Sequence, residues 1–313
     1  MMKNKKNICV IGSGFSGLSS ATYLANQGHN VYVLEKNSKL GGRARQFSSK
    51  GFTFDMGPSW YWMPDVFEKY FNDFDKNIED YLKLKRLDPS YKVFFDDGHI
   101  DVPANYQELK DLFESMEEGS GDNLDLFISQ AEKKYKVGIQ NLVYKPGLSI
   151  KEFIDRDTIT GVFQLDIFKS MHSHIRKYFK NEKIIKLLEF PILFLGATPK
   201  NTPALYSLMN FADIKLGTWF PEGGMYKIVE AMVELAKEKG VKFYPSEEVK
   251  KFSYVNKKIS HVITTKKTYD ADFVVCSGDY QHFDQNIVDQ KYRNYSASYW
   301  DKRTLAPSSL LFY

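Results

Sequence analysis

The chain is 313 residues long, enough for two domains, and its 43% hydrophobic content allows a sizeable core. Its 43 basic and 39 acidic residues are spread along the sequence, a formal net charge of +4, so no nucleic-acid footprint stands out. Only two cysteines occur, Cys9 and Cys276, both inside apolar runs, which excludes a disulfide framework and a Cys/His zinc site and leaves no metal expected.

The first informative element is Ile8–Ile11, a short apolar run suited to a buried parallel strand. Gly12, Gly14 and Gly17 follow at G-x-G-x-x-G spacing, a helical pattern runs to Gly28, and a second strand, Val31–Leu34, ends at Glu35. Strand, tight turn, helix, strand and acid together form a dinucleotide-binding fingerprint. Gly12 permits the turn, Gly14 lets main chain approach a pyrophosphate, and Gly17 lets the helix pack against the strand. The helix amino end offers free N–H groups to the phosphates. Glu35 is placed to accept hydrogen bonds from an adenosine ribose and to repel a 2′-phosphate, which argues against NADP.

The residues after Glu35 favour FAD over NAD. Leu40–Arg45 reads LGGRAR, where Gly41-Gly42 would let main chain lie against a bulky ligand. Arg43 is either a cation for the diphosphate or flavin side, or a solvated arginine beside a turn. A strand-like run, FSSKGFTFDMGP, then carries Asp55, Gly57 and Pro58. Residues 1–75 are assigned to the first part of the nucleotide domain.

From about residue 76 to 212 the texture changes. An Asp97-Gly98 turn between alternating segments predicts a hairpin, and Leu109, Leu112, Phe113 and Met116 mark one helix face over Tyr106–Met116. Asp122 is placed to cap a long helix reaching about Val137, and further helices fit Ile150–Ile154, Val162–Phe179 and Glu182–Phe190. His172 and His174 read as ordinary polar residues, since i, i+2 positions do not share a helix face. Phe190–Phe211 is rich enough in apolar residues to line a tunnel or mouth, and equally suits plain core. Residues 213–290 return to βαβ-like texture, with Ile228, Met232 and Leu235 on a buried helix face that ends at Gly240. That discontinuity makes 76–212 an inserted substrate domain.

Residues 8–60 resemble the flavoproteins with two dinucleotide-binding segments that include amine oxidases and carotenoid desaturases. The run Phe54–Trp60, FDMGPSW, narrows the likeness to the bacterial phytoene desaturase-type carotenoid desaturases. The block Gly217–Phe252 is similar to that family's segment leading back into the flavin domain. Tyr269–Asp279, YDADFVVCSGD, is similar to its A-D-x-V-V-x-N-A-D run, departing at Ser277 and Gly278.

The resemblance implies an α/β fold, a Rossmann-like FAD-binding domain with an inserted α+β substrate domain. It implies FAD held by Gly12, Ser13, Gly14, Phe15, Ser16, Gly17, Glu35, Lys36, Gly41, Gly42, Arg43, Gly57, Pro58, Ser59 and Val249. It also implies C=C bond formation in phytoene or a related carotenoid, a long apolar isoprenoid substrate taken from a membrane surface. Competing readings are another flavin oxidoreductase of the superfamily, such as an amine oxidase, and a non-catalytic isoprenoid carrier on the same fold. No catalytic acid or base is singled out: Asp166 is one carboxylate candidate, and Asp55 reads more readily as holding its loop.

The opening MMKNKKNICVIG mimics a signal peptide, but its glycines interrupt the apolar segment, and no run of about 18 apolar residues occurs. The expected location is cytoplasmic with peripheral membrane association. The chain stops at SSLLFY, an apolar strand pattern, where desaturases of this kind continue. The segment 291–313 is accordingly read as the start of a truncated substrate-domain sheet.

Overall fold

The computed structural model describes residues 5–149, 152, 166, 168–305 and 310–312. Strand β1 (Asn7–Ile11) is followed by helix α1 (Phe15–Asn26) and strand β2 (Asn30–Glu35). The apolar run of β1 pairs in parallel with β2, and Cys9 and Val10 are fully buried. Continuous apolar sequence is what a strand covered on both faces requires. Leu18, Ala21, Thr22 and Ala25 recur at helical spacing and bury one side of α1. Small residues there bring the helix close: a Cβ at Gly17 would collide with the Gly12 carbonyl.

The next segment corrects the single strand-like run expected at residues 47–58. Strands β3 (Arg45–Ser49) and β4 (Phe52–Met56) form an antiparallel hairpin. It turns at Lys50 and Gly51, both at positive φ (51° and 84°), the hand that matches strand twist. Helix α2 (Pro64–Asn72) follows, with proline in its first turn, where the missing N–H costs nothing.

Strand β5 (Leu84–Arg86) leads to a second hairpin, β6 (Tyr91–Phe95) and β7 (Gly98–Val102). Gly98 pairs with Phe95, so the turn residues are Asp96 and Asp97, one position earlier than expected. Helix α3 (Tyr106–Met116) takes the predicted bounds, capped by Asn105. Helix α4 (Ser120–Tyr135) begins before the expected cap: Gly119 stands at its N-cap and Asp122 in its first turn. Helices α5 (Met171–Ile175) and α6 (Glu182–Glu189) pack with them around Phe113, Phe127, Ile175 and Leu188. The predicted Ile150–Ile154 helix lies almost wholly outside the described residues. The predicted Val162–Phe179 helix is described at 166 and 168–179, where only α5 is helical, because Ser170 caps it by accepting from the Ser173 N–H and the chain turns again after Ile175. Of the closing segment, residues 291–305 and 310–312 are described, and in place of the expected sheet they hold a short helix at Ala297–Asp301, capped by Ser296, and no strand.

The chain returns through helix α7 (Leu208–Phe211), strand β8 (Trp219–Pro221) and helix α8 (Tyr226–Glu238). Ile228, Met232 and Leu235 are buried on α8, as its periodicity predicts. Strand β9 (Lys242–Pro245) is followed by an antiparallel sheet of β10 (Val249–Val255), β11 (Lys258–Thr264) and β12 (Thr268–Asp270), then β13 (Phe273–Cys276). The parallel sheet runs β13-β1-β2-β9. Two of its strands thus come from the amino end and two from the return segment. β8 pairs with β5, tying the middle of the chain to the same return.

Candidate functional site: a glycine cradle at the amino end of α1

The β1–α1 turn is a bare main-chain surface. Gly14 is the N-cap of α1, no side chain caps the helix, and its first turn carries no acid. Uncapped N–H groups at a helix start form an anion site, to which the helix dipole adds attraction. A Cβ placed on Gly14 would meet nothing within 4 Å, so the space in front of the turn is open.

Opposite stands the Gly41–Gly42 turn. Gly41 donates its N–H to the Ser13 carbonyl (3.1 Å) and to Ser13 Oγ (3.2 Å). Gly42, at φ 62°, lies so close that its Cβ would sit 3.0 Å from Gly14 Cα. A side chain at Gly42 would crowd Gly14, and one at Gly41 would collide with the Ala44 carbonyl (2.5 Å) and Val229.

Glu35 closes it from behind and is 4% exposed. One carboxylate oxygen accepts from the Ser13 N–H (3.0 Å) and hydroxyl (2.7 Å). The other accepts from the Asn37 N–H (2.9 Å) and side-chain amide (2.7 Å). Four donors match the lone pairs of one carboxylate. The Glu35 carbonyl also accepts from the Glu247 N–H (2.8 Å), which brings β10 and the buried Val249 to the same corner.

The remaining predicted positions divide. Phe15 packs edge-on against Phe67 (5.9 Å), so its side chain serves the core. Ser16, Lys36, Arg43, Gly57 and Ser59 are exposed, and Pro58 is half-buried. Gly57 rests on the Arg43 carbonyl, where a Cβ would come within 2.5 Å.

Several polar residues outside that prediction are fixed by the fold. Asp55 accepts from the Met225 N–H (2.7 Å) and Tyr226 N–H (3.2 Å), so it holds the amino end of α8. Gly224 makes room for it. Asn37, two residues past the acid, was visible only as a polar neighbour. Asp213 is a buried carboxylate that accepts from Tyr91 (2.6 Å) and Thr218 (2.9 Å), and Thr218 in turn accepts from Trp62 (2.8 Å). Burial pushes its carboxyl up to about 6, against the hydrogen bonds of Tyr91 and Thr218.

The structure withdraws two residues from acid–base work. Asp55 is committed to α8. Asp166 pairs with Lys169 (2.6 Å) and Lys134 (3.3 Å). Burial raises its carboxyl, but the two ammonium groups outweigh that and the net shift is downward, a weaker base. His174 is no ordinary polar residue: it is 2% exposed, lies 3.3 Å from the equally buried Lys134, and is pushed down to about 4 by burial, then by that charge. Both cysteines are structural in position, and burial raises Cys9 to about 12. Among the described residues no acid, histidine or cysteine cluster could hold a metal, and no helix is long and apolar enough to cross a membrane.

The profile of the flavin containing amine oxidoreductases matches residues 15–293. The carotenoid 3,4-desaturase of Haloarcula japonica is 39% identical over 312 residues, covering 98% of this chain and 63% of that protein. The 4,4′-diapophytoene desaturase of Staphylococcus aureus is 36% identical over 279 residues, covering 89% and 54%. The chain thus spans between about half and two thirds of these relatives' length. Among solved structures, putrescine oxidase bound to putrescine superposes with a TM-score of 0.58 at 15% identity, over 91% of this chain and 61% of that one, a likeness of fold. With its open cradle and buried acid, the chain belongs to the flavin containing amine oxidoreductase family, on that family's FAD-binding α/β fold and with FAD as its cofactor.

Proposed function

We propose that the chain serves as an FAD-dependent desaturase that introduces C=C bonds into phytoene or a related carotenoid. The observation carrying the reading is the uncapped amino end of α1, open in front of Gly14 and flanked by the Gly41–Gly42 turn that bonds to Ser13, with Glu35 fixed behind. These residues fit the cofactor. Gly12, Ser13, Gly14, Phe15, Ser16 and Gly17 would receive its diphosphate through main-chain N–H groups. Glu35 would take a ribose hydroxyl by exchanging one of its bonds to Ser13 or Asn37, with Lys36 beside it and Val249 on the adenine side. Gly41, Gly42, Arg43, Gly57, Pro58 and Ser59 would border the path toward the flavin ring. When bound, FAD supplies the hydride acceptor; the protein supplies position and dryness. The two desaturases named above support the substrate class over an amine substrate or a carrier.

The division into 1–75, 76–212, 213–290 and 291–313 belongs to the same proposal. It is supported by the parallel sheet, which draws β1 and β2 from the first segment and β9 and β13 from the third.

A hydrocarbon without polar groups must be recognised by shape and apolar area, at about 25 cal/mol per Å². An aromatic chain leads outward from Ser59: Trp60 meets Trp62 (5.5 Å) and Phe190 (5.7 Å), and Phe190 meets Tyr91 (5.2 Å). Beyond Phe190 a cleft of about 420 Å³ is lined by Phe94, Phe95, Ile192, Leu193 and Lys186. Phe94 and Leu193 are 76% and 65% exposed there, apolar surface suited to peripheral contact with a membrane. Phe190–Phe211 therefore divides between the two expected roles: Ile192 is core and Leu193 surface.

The test is flavin and colour. The purified chain should turn yellow with added FAD and release it on denaturation. Joined to the remaining part of the Haloarcula japonica desaturase, it should colour a phytoene-making host. A flavin-free protein would favour the carrier, and a yellow protein that oxidises amines but spares phytoene would favour the amine oxidase.

A further inference from the structure

We propose that Arg45, which no comparison assigns, is a cofactor-contacting cation whose guanidinium receives an oxygen of bound FAD, either of the diphosphate or of the flavin's carbonyl edge. The inference rests on the FAD site proposed above and adds a contact to it.

Arg45 opens β3 directly after the Gly41–Gly42 turn and stands opposite Met56, the residue before Gly57. It is therefore held between the two glycine segments that bound the cradle. Its Nε is shut off from solvent and has no hydrogen-bond partner. Among the described residues its guanidinium makes no ion pair. The side chain as a whole is half-buried, so the unmet group is the Nε–H, and buried polar groups in native proteins are almost always satisfied.

The nearest carboxylate in sequence cannot serve. Gln46 reaches its cross-strand neighbour Asp55 (3.2 Å), so these two occupy one face of the hairpin, the face turned to α8. Strand alternation puts Arg45 and Met56 on the other face, beside the stacked pair Phe47 and Phe54 (5.0 Å). Arg45 is thus kept away from Asp55 by the pleat itself. Its planar fork suits phosphate or paired carbonyl acceptors, and charge near the ring is one means by which a protein tunes a flavin.

The experiment compares wild type, Arg45→Met and Arg45→Lys by titration with FAD and, separately, with ADP, which carries the diphosphate without the ring. Arg45→Met should bind FAD about 10- to 100-fold more weakly, the range for a lost charged hydrogen bond, and Arg45→Lys should recover part of it. Equal losses for FAD and ADP would place the contact on the diphosphate. A loss for FAD alone, with a lower midpoint potential of the bound flavin, would place it on the ring. The unliganded Arg45→Met protein should melt no lower than wild type, because a buried N–H without a partner has been removed. A lower melting point with unchanged FAD and ADP affinities would overturn the inference, as would no change in any readout. Failure of wild type to bind FAD would instead overturn the site itself, and this contact with it.

Discussion

Ser13 donates to one oxygen of Glu35 twice, from its N–H at 3.0 Å and its hydroxyl at 2.7 Å, inside a buried corner. The acid expected to face a ribose is therefore also a strut of the fold. It clamps the glycine turn to the end of β2, and its second oxygen takes both donors of Asn37.

Glu35→Gln should separate those roles. The amide presents a donor where Ser13 or Asn37 already donates, so at least one bond is lost. Unfolding by urea without cofactor should show a loss of about 1.5–3 kcal/mol, the range for hydrogen bonds to a charged group. An unchanged midpoint would show that Glu35 does nothing for the free protein.

Two glycines in one motif should fail differently. Gly14→Val points into open space, so the free protein should keep its melting temperature while losing flavin retention. Gly17→Val would drive its side chain into the Gly12 carbonyl and should unfold or strongly destabilise the chain. Circular dichroism melts, followed by flavin fluorescence of the refolded samples, distinguish the outcomes. Flavin held by Gly14→Val would mean that the cradle lies elsewhere.

Asp55→Ala removes the acceptor at the amino end of α8. The expected loss is about 1 kcal/mol from the cap, with a further contribution from the helix dipole. Asp55→Asn should restore most of it, since an amide oxygen still caps. If the alanine variant instead kept full stability and lost only turnover, Asp55 would be a proton acceptor after all.

Asp213 predicts a pH dependence. Its carboxyl titrates at about 6 in the fold against 3.8 for the free group, so the fold favours the protonated form. Its contribution is complete below 3.8 and fades as pH rises through about 6, by up to about 3 kcal/mol. Asp213→Asn should abolish that component. Melting temperatures of both proteins from pH 4 to 7 should converge at the acid end and separate above 6, with the variant more stable there. Parallel curves would refute it.

The legibility of this chain follows the range of its interactions. Strand β1, helix α1 and the Gly12–Gly17 spacing were readable because burial and backbone freedom act within a few residues. The face of α8 was readable for the same reason, since its period is written in Ile228, Met232 and Leu235. The hairpin at Lys50–Gly51 was missed because lysine at positive φ is no sequence signal, whereas its partner glycine alone is ambiguous.

Amino-acid order by itself determined the bare glycine turn, the apolar strand before it and the acid after it, since each depends on neighbours along the chain. Only the folded molecule decided that Asp55 would meet Met225, that Tyr91 and Thr218 would enclose Asp213, and that the Arg45 Nε would be left without a partner among the described residues. Those outcomes depend on groups up to 170 positions apart, brought together by sheet pairing and helix packing, and no local pattern encodes them.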